Sequence, residues 1–206
     1  LAGFILLGVV SLEIYMPGDN AADGLPSSAT FSYGARLDIH GQQLNPSVNA
    51  AAGLGLDWVA VDFDWAALMP SPNLLPDLGL LNSVMEAARQ SNMQVMLSLT
   101  SAPSWAFTSS GPDPRLTASL VISLSRLYRD TMKAIELYPG ANILQAWGTS
   151  PDPMAYANLF QTVDAALKAE GLSVTLVASL APGRQSGDMA DWTYLDRMYQ
   201  AGAAGW

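Results

Sequence analysis

The sequence predicts an α/β domain of the (β/α)8 TIM-barrel type, with about five β/α units in its 206 residues. Three observations predict it. Strand-like and helix-like segments alternate five times with short connections, which calls for parallel strands joined by right-handed crossovers. The first three strands are polar on one face and apolar on the other, as barrel strands are when helices cover only the outside. Aromatic residues stand just beyond strand ends, at Trp65, Trp105 and Trp147, and in a barrel these ends form one rim where active sites lie. A doubly wound sheet also fits the alternation, but no Gly-rich phosphate loop follows the first strand. Five units do not close an eight-stranded barrel. The expectation is a remainder beyond Trp206, or else an open half barrel or one completed in trans.

The elements follow in order. Gly34 to Gly41 alternates strictly, with Arg36, Asp38 and His40 opposite Leu37 and Ile39, and reads as the first strand. Asn45-Pro46 supplies a cap and a first-turn proline for a short helix through Val48 to Leu54. The second strand follows Asp57. It sets Trp58, Ala60, Asp62 and Asp64 on one face, and Val59, Val61, Phe63 and Trp65 on the other. Asp77 is read as the cap of a helix over 78–92, with Leu80, Leu81, Val84, Met85 and Ala88 at helical spacing. Gln94 to Ser101 is the third strand, with Val95, Leu97 and Leu99 opposite Met96, Ser98 and Thr100. A third helix is expected from about Thr117 to Ile135, and a fourth strand over 141–149. Pro151-Asp152-Pro153 opens a helix reaching about Gly171, and 174–180 is the fifth strand. Asp191 caps the last helix.

Half the chain is hydrophobic, 13% is charged and the net charge is −9. Its nine basic residues form no patch, which excludes nucleic acid as a partner. The absence of cysteine excludes disulfides, thiol nucleophiles and thiolate metal sites. A lone histidine, His40, rules out a His-rich metal site, and no cofactor is implied. Residues 1–16 are apolar apart from Glu13 and are read as the end of a membrane anchor, with a buried strand as the alternative. Residues 17–32, rich in Gly, Pro, Ser, Asp and Asn, read as a linker, and 33–206 as the barrel domain. That order places the domain outside the cytoplasm.

Several local runs carry a resemblance. They are Gly53-Leu54-Gly55-Leu56-Asp57-Trp58-Val59, Phe63-Asp64-Trp65 with Pro70 following, and Ala102-Pro103-Ser104-Trp105-Ala106. Leu180-Ala181-Pro182 and Met198-Tyr199-Gln200-Ala201-Gly202-Ala203 complete the set. In this order they resemble the retaining glycoside hydrolases of the (β/α)8 clan that includes β-xylosidases and cellulases, over the N-terminal five-eighths of such a barrel. The resemblance implies an acid/base Glu in a Trp-Asn-Glu-Pro run at the end of strand four. This chain has Trp147-Gly148-Thr149-Ser150-Pro151, so that Ser150 takes the Glu position and Thr149 the Asn position. The family nucleophile lies on strand seven, beyond residue 206. Where the family prefers Arg before the strand-two Trp, Asp64 stands here. A hydroxyl cannot protonate a leaving glycosidic oxygen at neutral pH as a carboxyl can. The resemblance therefore implies a barrel that has lost catalysis and kept a binding or scaffolding role. Two rivals remain: an active glycosidase with its nucleophile beyond residue 206, and an accessory subunit of a membrane protein assembly.

The candidate carbohydrate-binding residues are His40, Asp64, Trp105, Trp147 and Thr149, with no catalytic residue and no metal. Each has a plainer reading. His40 is satisfied by neighbouring polar groups, and Trp105 and Trp147 plug the mouth. Asp62 and Asp64 lie roughly 6.5–7 Å apart by strand rise, an inverting-type spacing. The plainer reading there is an ion pair of one Asp with Arg36. Asp152, one turn away from the family position, is the alternative candidate for a replacement acid. The helical methionines are core filler.

Overall fold

Alternation along each strand decides which face meets the helices. The computed structural model describes residues 32–37 and 44–203. Five parallel strands form one sheet in the order β1 (Gly34–Leu37), β2 (Trp58–Asp64), β3 (Gln94–Thr100), β6 (Met132–Leu137) and β7 (Thr175–Val177). A separate antiparallel hairpin, β4 (Phe107–Thr108) and β5 (Gly111–Pro112), is inserted after β3. The order never reverses, whereas a doubly wound sheet reverses at a switch point. The chain therefore winds in one direction only, as a barrel does. Five helices cover the outer face: α1 (Leu44–Gly53), α3 (Gly79–Gln90), α4 (Pro114–Leu127), α6 (Pro153–Ala169) and α7 (Asp191–Gln200). Two single-turn helices, α2 (Trp65–Leu68) and α5 (Leu144–Trp147), follow β2 and β6.

The core sits between sheet and helices. Val59, Val61 and Phe63 of β2, Val95, Leu97 and Leu99 of β3, and Ile135 and Leu137 of β6 are buried against Leu81, Val84, Val121, Leu159 and Val163. Each such side chain contributes about 1.5–3 kcal/mol. The inner face holds only a small apolar layer of Ala60, Met96 and Ala134, with Trp58 and Val177 beside it. Asp-Pro pairs start two helices as their sequence suggests. Asp113 Oδ1 accepts from the N–H groups of Arg115 and Leu116, and Asp152 Oδ1 from those of Met154 and Ala155.

Two expectations are corrected. The helix expected over 117–135 ends at Leu127, and 132–137 is the fourth strand of the sheet. The backbone turns at Tyr128, whose carbonyl accepts from the N–H groups of Thr131 and Met132. No Gly or Pro marks that turn, and Lys133 and Glu136 let the strand pass for more amphipathic helix. The strand expected over 141–149 is a loop containing α5. Smaller differences lie at element ends. Asp77 binds the N–H of Gly79 but precedes the Leu78 cap, Asp191 is the first residue of α7 rather than its cap, and β7 has three residues. His40, Asp38, the apolar segment 1–16 and nearly all of the linker 17–32 lie outside the described residues.

Candidate functional site

Three polar side chains point inward from neighbouring strands: Asp62 from β2, Ser98 from β3 and Glu136 from β6. Arg36 of β1 gathers them. Its Nη1 donates to Asp62 Oδ1 and, at 3.0 Å, to Ser98 Oγ; its Nη2 donates to Glu136 Oε2 at 3.0 Å. Ser98 Oγ donates to the same Glu136 oxygen at 2.5 Å. Partial burial works against the guanidinium's charge, but the hydrogen bond to Glu136 and the charge of Asp62 outweigh it and hold Arg36 above its ordinary value. The expected Arg36–aspartate pair is thus present, through Asp62. Both carboxylates are paired with one cation, an arrangement that ties three strands together.

Above this network, at the C-terminal strand ends, lies a cleft of about 600 Å³. Thr100, Ser101 and Ser104 follow β3 into it, Phe107 comes from the hairpin, and Tyr138, Gln145 and Gly148 follow β6. Its lining carries hydroxyls, an amide and two aromatic rings, and among the described residues no carboxylate, histidine or amine. Such groups exchange hydrogen bonds with a hydroxylated ligand; the one phenol among them, Tyr138, is buried, bonded to Thr117 and held above its ordinary value. Two residues at its floor, Ser101 (φ 50°) and Tyr138 (φ 48°), adopt left-handed backbone on adjacent strand ends. This conformation costs a non-glycine residue about 1–2 kcal/mol. Ser101→Gly is therefore expected to raise stability by up to about 1 kcal/mol, after the added chain entropy of glycine. Thermal unfolding beside Ser101→Ala, which keeps the strain, checks this.

The hairpin wall is fixed by close contacts. Trp147 packs over Gly111, where a Cβ would come within 2.2 Å of its ring, and Phe107 packs over Gly148. Trp147 Nε1 donates to the Ser110 carbonyl at 3.0 Å. Its ring meets Tyr138 and Tyr156 edge-on, with centroids 6.0 and 5.5 Å away, and Tyr156 in turn meets Tyr194. Burial pushes all three phenols above their ordinary value. In the unfolded chain they ionise near pH 10, so above that pH the unfolded state binds fewer protons than the folded one. Their contribution to stability is complete below about pH 9 and is lost as pH rises beyond about 10, by up to about 4 kcal/mol per pH unit for three groups. Denaturant midpoints should be level between about pH 7 and 9 and drop sharply by about pH 11.

The sequence candidates scatter around this cleft. Trp147 is 1% exposed, so it is core and offers no face to a sugar. Trp105 is half-buried, donates to the Met69 carbonyl at 3.1 Å and meets Trp65 edge-on; it closes the β2 side of the mouth. Asp64 caps α2 through the N–H of Ala67 at 3.0 Å. Thr149 and Ser150 lie in the loop between α5 and α6, away from any strand end, because the fourth strand is β6. Behind β6 come Tyr138, Pro139 and Gly140, again without a carboxylate. Asp152 is occupied as the cap of α6. Sequence reasoning missed Ser101, Ser104, Phe107 and Gln145. The polar run Thr100-Ser101 at the end of an inward-facing strand was the available signal. Among the described residues, no group of three or more His, Asp and Glu side chains could hold a metal ion.

No protein-family model matches the sequence, and no curated protein does. Solved structures are similar in fold. A family 39 glycoside hydrolase from the gut symbiont Bacteroides cellulosilyticus WH2 superposes with a TM-score of 0.58 at 13% identity, over 70% of this chain and 30% of that one. An endo-β-1,4-glucanase from Xanthomonas axonopodis pv. citri gives 0.55 at 15% identity, over 75% and 51%. A β-glucosidase from Exiguobacterium marinum gives 0.55 at 9% identity, over 68% and 37%. The chain thus spans between 30% and 51% of the length of these structures. The likeness is one of fold: a five-stranded part of a glycoside-hydrolase-like (β/α) barrel.

Proposed function

We propose that this chain is a glycosidase-like barrel domain that binds a carbohydrate without hydrolysing it. The observation that carries the reading is the division of labour at the strand ends. The cleft is lined by hydroxyl, amide and aromatic groups, while Asp62 and Glu136 beneath it are held by Arg36. Hydrolysis needs two carboxyls facing each other across the bond, and among the described residues the cleft lining presents none. The apolar run 1–16 and the linker after it support a tethered, extracytoplasmic domain; that part rests on sequence alone. Among the described residues no helix is long and apolar enough to cross a membrane.

The test pairs turnover with binding. Aryl glycosides should show no release above a boiled control. Calorimetry with cello- and xylo-oligosaccharides should show binding that weakens by about tenfold or more in Phe107→Ala and Gln145→Ala, the loss of a contact worth at least about 1.4 kcal/mol. Turnover abolished by Glu136→Gln would establish an active enzyme in place of this reading. Absence of binding to every oligosaccharide would remove the carbohydrate.

A further inference from the structure

We propose that the rim around the cleft is a docking surface for a partner protein whose own surface is apolar at its centre and basic around it. Parallel strands joined by outer helices place every helix N-terminus at the same end of the sheet as the cleft. At that end each of four helices exposes a large apolar side chain at its second or third residue: Leu80 of α3, Leu116 of α4, Met154 of α6 and Trp192 of α7. Leu75, in the loop before α3, is 94% exposed, and Trp192 and Met154 are 79% and 70% exposed. Seven of the eleven exposed large apolar side chains among the described residues lie at this end, these five with Leu74 and Leu144. Single exposed apolar residues are ordinary, but recurrence at one position of successive packed helices forms a surface. Helix α4 packs on α6, and α6 on α7, so Leu116, Met154 and Trp192 are carried on neighbouring elements.

Charge selects the occupant. The four helix side chains each stand one to three residues after an aspartate, Asp77, Asp113, Asp152 and Asp191, and Leu75 stands two residues before Asp77. The chain as a whole carries −9. An anionic lipid surface would be repelled, and so would a second copy of this chain. Apolar groups interleaved with carboxylates match a partner that brings apolar anchors and Lys or Arg around them.

The test uses the full chain and two synthetic amphipathic helical peptides of one pattern, Leu/Lys and Leu/Glu, with phosphatidylcholine vesicles and sedimentation velocity alongside. The Leu/Lys peptide should bind and weaken with added salt. It should lose about tenfold or more in a Leu75→Ser, Met154→Ser, Trp192→Ser triple variant, whose melting temperature should be unchanged because all three side chains are exposed. Equal binding of the Leu/Glu peptide, or undiminished binding by a folded triple variant, overturns the proposal. Vesicle binding that the triple variant loses, and that residues 1–16 therefore do not supply, replaces the protein with a neutral lipid surface. A dimer abolished by the triple variant replaces it with a second copy. Oligosaccharide binding is measured in parallel and stands or falls separately.

Discussion

Trp147→Ala is expected to cost about 3–5 kcal/mol of folding stability, the range for removing a large, fully buried aromatic side chain. That is a large share of the roughly 5–15 kcal/mol that holds a domain together. The ring is the joint of the rim. It lies over Gly111 of the hairpin, meets Tyr138 and Tyr156 edge-on, and ties Ser110 through its indole N–H. The cavity left behind is bounded by rings that cannot collapse into it without leaving their own hydrogen bonds, Tyr138 to Thr117 and Tyr156 to the Leu137 carbonyl. Trp147→Phe should lose less, keeping an aromatic contact and giving up the bond to Ser110. Urea denaturation measures both; a loss below about 1 kcal/mol for the alanine variant would show that the ring is not the joint described.

Arg36→Ala is expected to cost about 2–4 kcal/mol. Removing one partner of a buried pair leaves a buried charge behind, at about 3–5 kcal/mol. The lower figure reflects the position of Arg36, whose side chain is 35% exposed, beside a Glu136 side chain that is only 6% exposed. Without Arg36, Glu136 retains Ser98 as its side-chain partner among the described residues. Arg36→Lys should rescue little, because a single ammonium does not reproduce the fork that reaches Asp62, Ser98 and Glu136 together. The test is a double-mutant cycle. Glu136→Gln combined with Arg36→Ala should lose less than the sum of the two single losses, by at least about 1 kcal/mol. Additive losses would mean that the network does not bind the strands as a unit.

How far the sequence could be read follows from the range of the forces involved. The second and third strands were legible because alternation is local. Val59, Val61, Phe63, Val95, Leu97 and Leu99 announce an apolar face whatever lies elsewhere, and the structure buries them all. The fourth strand was not legible. Glu136 looks solvent-facing in its own neighbourhood, and its place inside depends on an arginine one hundred residues earlier in the chain. With that strand misplaced, Ser150 and Thr149 took on a role that belongs to no strand end. Of the two readings of Trp147, a sugar platform or a buried plug, the sequence could not choose for a similar reason: Gly111, on another element, lets the hairpin lie over its ring.

The sequence by itself determined the alternating α/β class and the outer faces of the second and third strands; the strand order fixed the single direction of winding. Local periodicity and capping residues act within a turn or two, and they survive any error further along the chain. Tertiary structure alone decided which strand is fourth and which carboxylates share Arg36. It also decided that the cleft is lined by neutral groups, and that the apolar first turns of the helices come to one end. Those properties arise from side chains brought together across the sheet, where a buried charge holds its position only because its partner arrives from a distant strand.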